Sequence, residues 1–212
     1  MTTRIDSLDG LLIRDIRWEI TTAGPSPLNN KRTELFLLGC NKAMMGNPCK
    51  GCFNSTTWDK SKAEFSHDPI LVAKHINEVA PNKYITISGG EPLDQIEQLT
   101  TLCKELKLYG FHIMIYTWRE LNNINCNAFK NEIFELLNYV DIVIDGEYQE
   151  SERLWDGSKE DGFLSSIGSG NQIVWDIKNK IGFAMRDINK IVLEDDTLFY
   201  SLKNQCKKNV LV

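Results

Sequence analysis

One loop constrains this chain more than any other feature: Cys40-x8-Cys49-x2-Cys52, three thiols within thirteen positions. Gly46, Pro48 and Gly51 make the loop prone to turn, as a chain wrapping around a bound group must be. Three thiolates can hold three corners of an iron–sulfur cubane and leave the fourth iron open, whereas electron-transfer clusters of that kind use four cysteines. A structural zinc site is the competing reading. Zinc wants four ligands, and Cys49-x2-Cys52 resembles half of a zinc knuckle. The other half would come from Cys40 with His67, Cys103 or Cys126, none of which forms a second tight pair. The spacing alone leaves zinc and iron–sulfur both open.

The rest of the chain sets the context. At 212 residues it suits one domain, and a chain of that size buries roughly 70% of its unfolded surface. A net charge of −5 argues against nucleic acid as a partner, because a phosphate-binding surface needs clustered Lys and Arg, and the Lys207-Lys208 pair reads as a solvated tail. No stretch approaches the roughly 20 apolar residues that span a bilayer, so no membrane partner is expected. Met1 to Asp9 lacks the apolar core of a signal peptide. A cytoplasmic location is therefore expected, and there six cysteines are not a disulfide framework.

Apolar strands and helical periods alternate. Leu11–Ile20, Thr33–Leu38, Lys83–Ile87, Phe111–Tyr116, Val140–Ile144 and Gln172–Ile177 read as strands. Asp68 caps a helix with Pro69 at its first position, running to Ala80 with Ile70, Leu71, Ala73 and Ile76 as buried candidates. Leu93 to Tyr109 carries helical spacing at Ile96, Leu99, Leu102 and Leu106, and Gly110 stops it. Phe129–Asn138 is a further helix, and 39–66 a long loop. This alternation predicts an α/β fold, a mostly parallel sheet covered by helices, whose ligands bind at the C-terminal strand ends. The unusual residues fall there: Cys40, Gly89-Gly90-Glu91, Thr117 and Asp145-Gly146 each follow a strand. A partial (β/α) barrel explains that coincidence best. Residues 1–30 read as an N-terminal strand and lead-in, 31–180 as the core domain and 181–212 as a C-terminal extension.

Ser88-Gly89-Gly90-Glu91-Pro92 is a strand running into a turn. Two glycines let backbone approach a ligand closely, and Glu91 offers a carboxylate suited to an ammonium group. In isolation such a turn is a mere strand-to-helix connection. It is not a phosphate loop, since no Gly-x-x-x-x-Gly-Lys pattern is present.

Taken together, five segments resemble the radical S-adenosylmethionine superfamily, and within it the activating proteins of anaerobic ribonucleoside-triphosphate reductase. They are Phe36-Leu37-Leu38-Gly39-Cys40, Cys49-Lys50-Gly51-Cys52-Phe53-Asn54, Ser88-Gly89-Gly90-Glu91-Pro92-Leu93, Val140 through Tyr148, and Gly168-Ser169-Gly170-Asn171-Gln172. The resemblance implies a [4Fe-4S] cluster on Cys40, Cys49 and Cys52, with S-adenosyl-L-methionine chelated at the open iron. It implies that Gly89, Gly90 and Glu91 hold the methionine end, Glu91 facing its ammonium. Asn54, Thr117, Asp145 and Asn171 are further candidates for the cofactor pocket. An electron from a flavodoxin- or ferredoxin-like donor would cleave the sulfonium, and the resulting radical would take hydrogen from a glycine of the partner reductase. The chain departs from that pattern in three places. Its first cysteine gap is eight where three is usual, Trp118 stands where the family often has Gly, and Ile173 where it commonly has Arg.

Bland readings stand beside these. Phe53 and Asn54 also serve to close a loop, Thr117 to cap a strand, Asp145-Gly146 to turn the chain, and Asn171 and Gln172 to satisfy a loop. His67, His75 and His112 lack paired spacing, Trp155 reads as a loop anchor, and Cys103, Cys126 and Cys206 as plain thiols. Two other functions remain in view: a small-molecule radical enzyme resembling 7-carboxy-7-deazaguanine synthases, and a non-enzymatic zinc-binding module.

Overall fold

The structure, a computed structural model, describes residues 3–4, 10–20, 23–24, 26–28, 31–121, 130–154, 168–184, 188–194, 197–202 and 208–210. Phe129, Cys126, Trp155, Cys206 and Lys207 lie outside them. In chain order the strands are β1 Thr3–Arg4, β2 Ile13–Ile20, β3 Arg32–Leu37, β4 Phe65–Ser66, β5 Tyr84–Gly89, β6 His112–Tyr116, β7 Ile142–Asp145, β8 Ile173–Asp176, β9 Ile181–Ala184, β10 Ile188–Glu194, β11 Thr197–Leu202 and β12 Lys208–Val210. The α-helices are α1 Asn41–Met44, α2 Pro69–Val79, α3 Ile96–Leu108 and α4 Lys130–Leu137.

Eight strands form one mixed sheet in the order β12-β9-β8-β7-β6-β5-β3-β2. Its centre, β3-β5-β6-β7, is parallel, while β2, β8, β9 and β12 add antiparallel. The α/β expectation holds. The sheet is continuous from β2 to β12, and among the described residues those two strands do not pair with each other. Strands β10 and β11 form a separate hairpin. No helix among the described residues is long and apolar enough to cross a membrane.

Period-two patterning sorts each central strand between two faces. Leu35 and Leu37, Ile85 and Ile87, and Ile113 and Ile115 join one buried cluster with Val72, Ala73 and Ile76 of α2, Leu99, Leu102 and Leu106 of α3, and Ile133 and Leu136 of α4. Helix α2 starts as the sequence indicates, with the Asp68 carboxylate accepting from Ile70 N at 2.8 Å and Pro69 in the first turn. Its buried stripe differs from the expectation. Ile70 and Leu71 are 48% and 47% exposed, because the helix turns Val72, Ala73 and Ile76 toward the sheet and leaves its first turn facing outward. At the end of α3, Gly110 takes φ 78°, and Gly110 N and Phe111 N donate back to Lys107 O and Leu106 O, closing the helix. The expected 39–66 loop is not featureless: α1 and two 3₁₀ turns, Ser55–Thr57 and Lys60–Lys62, lie within it.

Candidate functional site

The site begins where β3 and β5 end. Gly90 N donates to Leu37 O at 2.9 Å and Glu91 N to Gly39 O at 2.7 Å, so the two strand ends are zipped backbone to backbone. Only glycine fits there. A Cβ on Gly90 would lie 2.0 Å from Gly39 O, and one on Gly89, at φ 114°, would lie 2.3 Å from Leu37 O. The glycine pair thereby ties the turn after β5 to the residues leading into Cys40.

From there the chain makes the cysteine loop. Cys40 N donates to Trp58 O at 2.9 Å, folding the loop back on itself, and Cys40 is the extended residue just before α1. Cys52 N donates to Cys49 O at 3.2 Å across a turn containing Gly51 at φ 80°. On the far side Phe53 packs on Tyr148 with ring centres 4.9 Å apart, and the Arg153 guanidinium sits 5.1 Å above Phe53. Cys40, Cys49 and Cys52 all line one cavity of about 280 Å³. Burial, opposed by a backbone hydrogen bond from Ala43 and reinforced by the fields of Glu91 and Asp94, pushes the Cys40 thiol up to about 11. Burial also raises Cys49. Any metal bound here therefore has to displace thiol protons.

Among the described residues, no three His, Cys, Asp or Glu side chains are gathered as one metal ion requires. The cavity is lined, among the described residues, by three thiols and by no histidine or fourth cysteine, a donor set that fits a cluster with an open corner better than a closed zinc site. Cys103 is buried in α3 among core residues, its thiol pushed up by burial, and is not part of the cavity. His75 is exposed on α2. His112 is buried against Arg32, and burial together with that charge holds its pKa well below the usual value.

The remaining sequence candidates separate into two groups. Gly89, Gly90, Asn54 and Thr117 line the cavity. Glu91, Asp145 and Asn171 are turned into the structure around it. Glu91 is 1% exposed. Its Oε1 accepts from Leu93 N at 3.0 Å and Thr117 Oγ1 at 2.7 Å, and its Oε2 from Trp118 N at 3.1 Å. Burial, the dominant cause, pushes its carboxyl up to about 7. Asp145 accepts from Leu121 N at 2.6 Å and is raised to about 6, again chiefly by burial. Asn171 donates to Glu147 O at 2.9 Å and accepts from Ser169 Oγ at 2.6 Å. Their neighbours Gly146 and Gln172 reach the cavity instead, joined by a 2.9 Å bond from Gln172 Nε2 to Gly146 O. The sequence reading missed Glu34, on the cavity side of β3, where burial raises its carboxyl and Ser88 Oγ donates to it at 3.2 Å. A polar residue interrupting an apolar strand was the available signal.

Comparison with known proteins points to an iron–sulfur domain. A family model described as a 4Fe-4S single cluster domain matches residues 29–175. The chain is 28% identical over 137 residues to an anaerobic ribonucleoside-triphosphate reductase-activating protein of Enterobacteria phage T4, covering 60% of this chain and 79% of that protein. It is 28% identical over 149 residues to the protein of the same name from Haemophilus influenzae, covering 68% and 86%. A pyruvate formate-lyase-activating enzyme of Staphylococcus epidermidis is 34% identical over 104 residues, which are 45% of this chain and 40% of that enzyme.

Proposed function

The chain belongs to the 4Fe-4S single cluster domain family, and from that premise we propose that it is a radical S-adenosylmethionine activating enzyme for a glycyl-radical protein, an anaerobic ribonucleotide reductase. The observation that carries the reading is the cavity itself, where three cysteines and the Gly89-Gly90 turn face one space. In this reading Cys40, Cys49 and Cys52 hold a [4Fe-4S] cluster within a core of residues 31–180 that curves as a partial (β/α) barrel. Bound there, the cluster would supply the one-electron reduction, drawn from a flavodoxin- or ferredoxin-like donor, by which S-adenosylmethionine and a backbone glycine of the reductase would yield methionine, 5′-deoxyadenosine and a glycyl radical. The reductase is preferred as target because its activating proteins are matched over most of their length, whereas the formate-lyase relative is matched over 40% of its own. A cytoplasmic location follows from the need for a cellular electron donor.

The chain's residues bind, orient and exclude water. The backbone of Gly89 and Gly90 receives the methionine end, with Asn54 and Thr117 beside it. Glu91 already accepts from Leu93 N, Thr117 Oγ1 and Trp118 N, so its first role is to hold the turn in shape, with the second lone pair of Oε2 left for an ammonium. Asp145 and Asn171 act through Gly146 and Gln172, shaping the wall. The test is anaerobic reconstitution with iron and sulfide, then reductant and S-adenosylmethionine, with chromatography for 5′-deoxyadenosine. Its appearance, with a glycyl-radical resonance when the reductase is added, is the expected result. Protein that holds zinc alone and yields no 5′-deoxyadenosine overturns the reading.

A further inference from the structure

Five of the eight residues between Cys40 and Cys49 are exposed, yet polar contacts tie the segment to the rest of the fold. They form α1 and the turn after it, and three strand ends grip them. Asn41 N donates to Asp94 Oδ2 at 2.6 Å, while Asp94 Oδ1 accepts from Arg119 Nη2 at 2.7 Å. That ion pair is well covered, its side chains 6% and 18% exposed for Asp94 and Arg119. Asp94 lies in the 3₁₀ turn Pro92–Gln95 after β5, and Arg119 lies just past β6, where its backbone N donates to Thr117 Oγ1 at 3.0 Å. On the other side of α1, Lys42 Nζ donates to Glu147 Oε1 at 3.0 Å, beyond β7, and to Asn47 O at 2.7 Å. The same ammonium lies 5.7 Å from the centre of the Trp118 ring, and the Arg119 guanidinium lies 4.9 Å from it. Trp118 is thus the common seat of both cations.

We infer that Asp94 and Lys42 are positioning residues that lock the segment between Cys40 and Cys49 onto the ends of β5, β6 and β7, and so set where those two cysteines present their sulfurs. The inference rests on the proposed cluster ligation. A four-residue helix does not hold itself, since short helices are unstable alone. Here Asp94 caps its first amide from another loop, and Lys42 pins its middle. Removing Asp94 leaves a nearly buried guanidinium and an amide without their acceptor, and removing the Lys42 charge frees Glu147. Either change lets the segment shift without touching a sulfur.

The experiment compares wild type, Asp94→Ala, Asp94→Asn and Lys42→Met after anaerobic loading with iron and sulfide. Three readouts are taken: melting of the metal-free protein, iron retained against a chelator, and the electron paramagnetic resonance spectrum of the reduced cluster. Asp94→Ala and Lys42→Met should each retain iron about tenfold less well, the scale seen for outer-shell partners of metal ligands, and their spectra should change. Asp94→Asn keeps an oxygen for Asn41 N and should recover part of the loss. If Asp94→Ala fails to fold, Lys42→Met decides, since its partner Glu147 is exposed. Loaded variants with wild-type retention and an unchanged spectrum overturn the inference. A wild-type protein that takes up no cluster overturns the cysteine assignment itself, which separates the two failures.

Discussion

The two faces of the central strands are built from alternate residues of the same segments, and they obey different rules. On the helix-covered face Leu35, Leu37, Ile85, Ile87, Ile113 and Ile115 are 0–1% exposed and belong to one apolar cluster with residues of α2, α3 and α4. On the cavity face Glu34, Ser88 and Tyr116 come from the same three strands, and a loop held by long-range polar contacts replaces the helices. The first face is held by burial, which is non-directional and tolerant of sequence. The second depends on individual bonds, each with a required geometry. One face makes the fold and the other uses it, and the difference can be measured.

The sharpest division lies at the cysteines. Cys40→Ala, Cys49→Ala and Cys52→Ala should each abolish iron–sulfur loading and 5′-deoxyadenosine formation while the metal-free protein melts nearly as wild type. Cys103→Ala, on the helix-covered face, should load fully. Iron analysis with a thermal melt checks both halves, and loss of cluster in the Cys103 variant would break the separation of the faces.

The reverse experiment targets Leu99 of α3, which is 0% exposed within the apolar cluster. Leu99→Ala should cost about 2–5 kcal/mol of stability through lost transfer energy and an unfilled cavity. Iron bound per folded chain should stay constant. Denaturant titration of the metal-free protein alongside iron analysis reads the two effects separately, and weaker loading at unchanged stability would show that the faces are coupled.

The apolar face was legible in the sequence and the cavity face only in outline. Period-two strands, the Asp68 cap and the Gly110 stop are local signals, so the elements fall where expected. The misplaced stripe on α2 came from its first turn, where Ile70 and Leu71 are apolar but face outward. The meeting of the cysteine loop with the Gly-Gly turn was readable because both follow parallel strands. What holds them was not. Asn41 and Asp94 are 53 positions apart, and Glu91 finds Thr117 and Trp118 at separations of 26 and 27. No local pattern encodes such pairings, so the bonds that Glu91 accepts within the protein were not readable from the sequence.

Glu91 offers a test between these extremes, since it is as buried as the core yet as polar as the cavity. Burial lifts its folded-state carboxyl from 4.5 to about 7. Between those values the folded chain binds more protons than the unfolded chain, so stability falls as pH rises through the window. Taken alone the group accounts for at most roughly 3 kcal/mol across it. Asp145, raised to about 6, acts in the same direction over a lower window. The stability difference between wild type and Glu91→Gln should therefore drift against wild type from about pH 5 to 7 and level off above. Melts of the metal-free proteins across that range check it, and a constant difference would mean that Glu91 is already ionised in the fold.

The smallest effect is expected at Glu34, and it bears most directly on what the cavity floor is for. Its carboxyl is half-buried and raised by that burial, and Ser88 Oγ donates to it at a long 3.2 Å. A neutral amide of the same shape keeps an oxygen for that hydroxyl, so Glu34→Gln should change stability by less than about 1 kcal/mol. Denaturant titration near neutral pH measures this. A small change, paired with a clear change in S-adenosylmethionine binding by calorimetry, would mark Glu34 as a residue kept for the cavity's occupant. A loss above about 2 kcal/mol would instead make the floor part of the scaffold, since a surface substitution away from structural features stays within about 0.5 kcal/mol, and the contrast between the two faces would narrow to the cysteine loop alone.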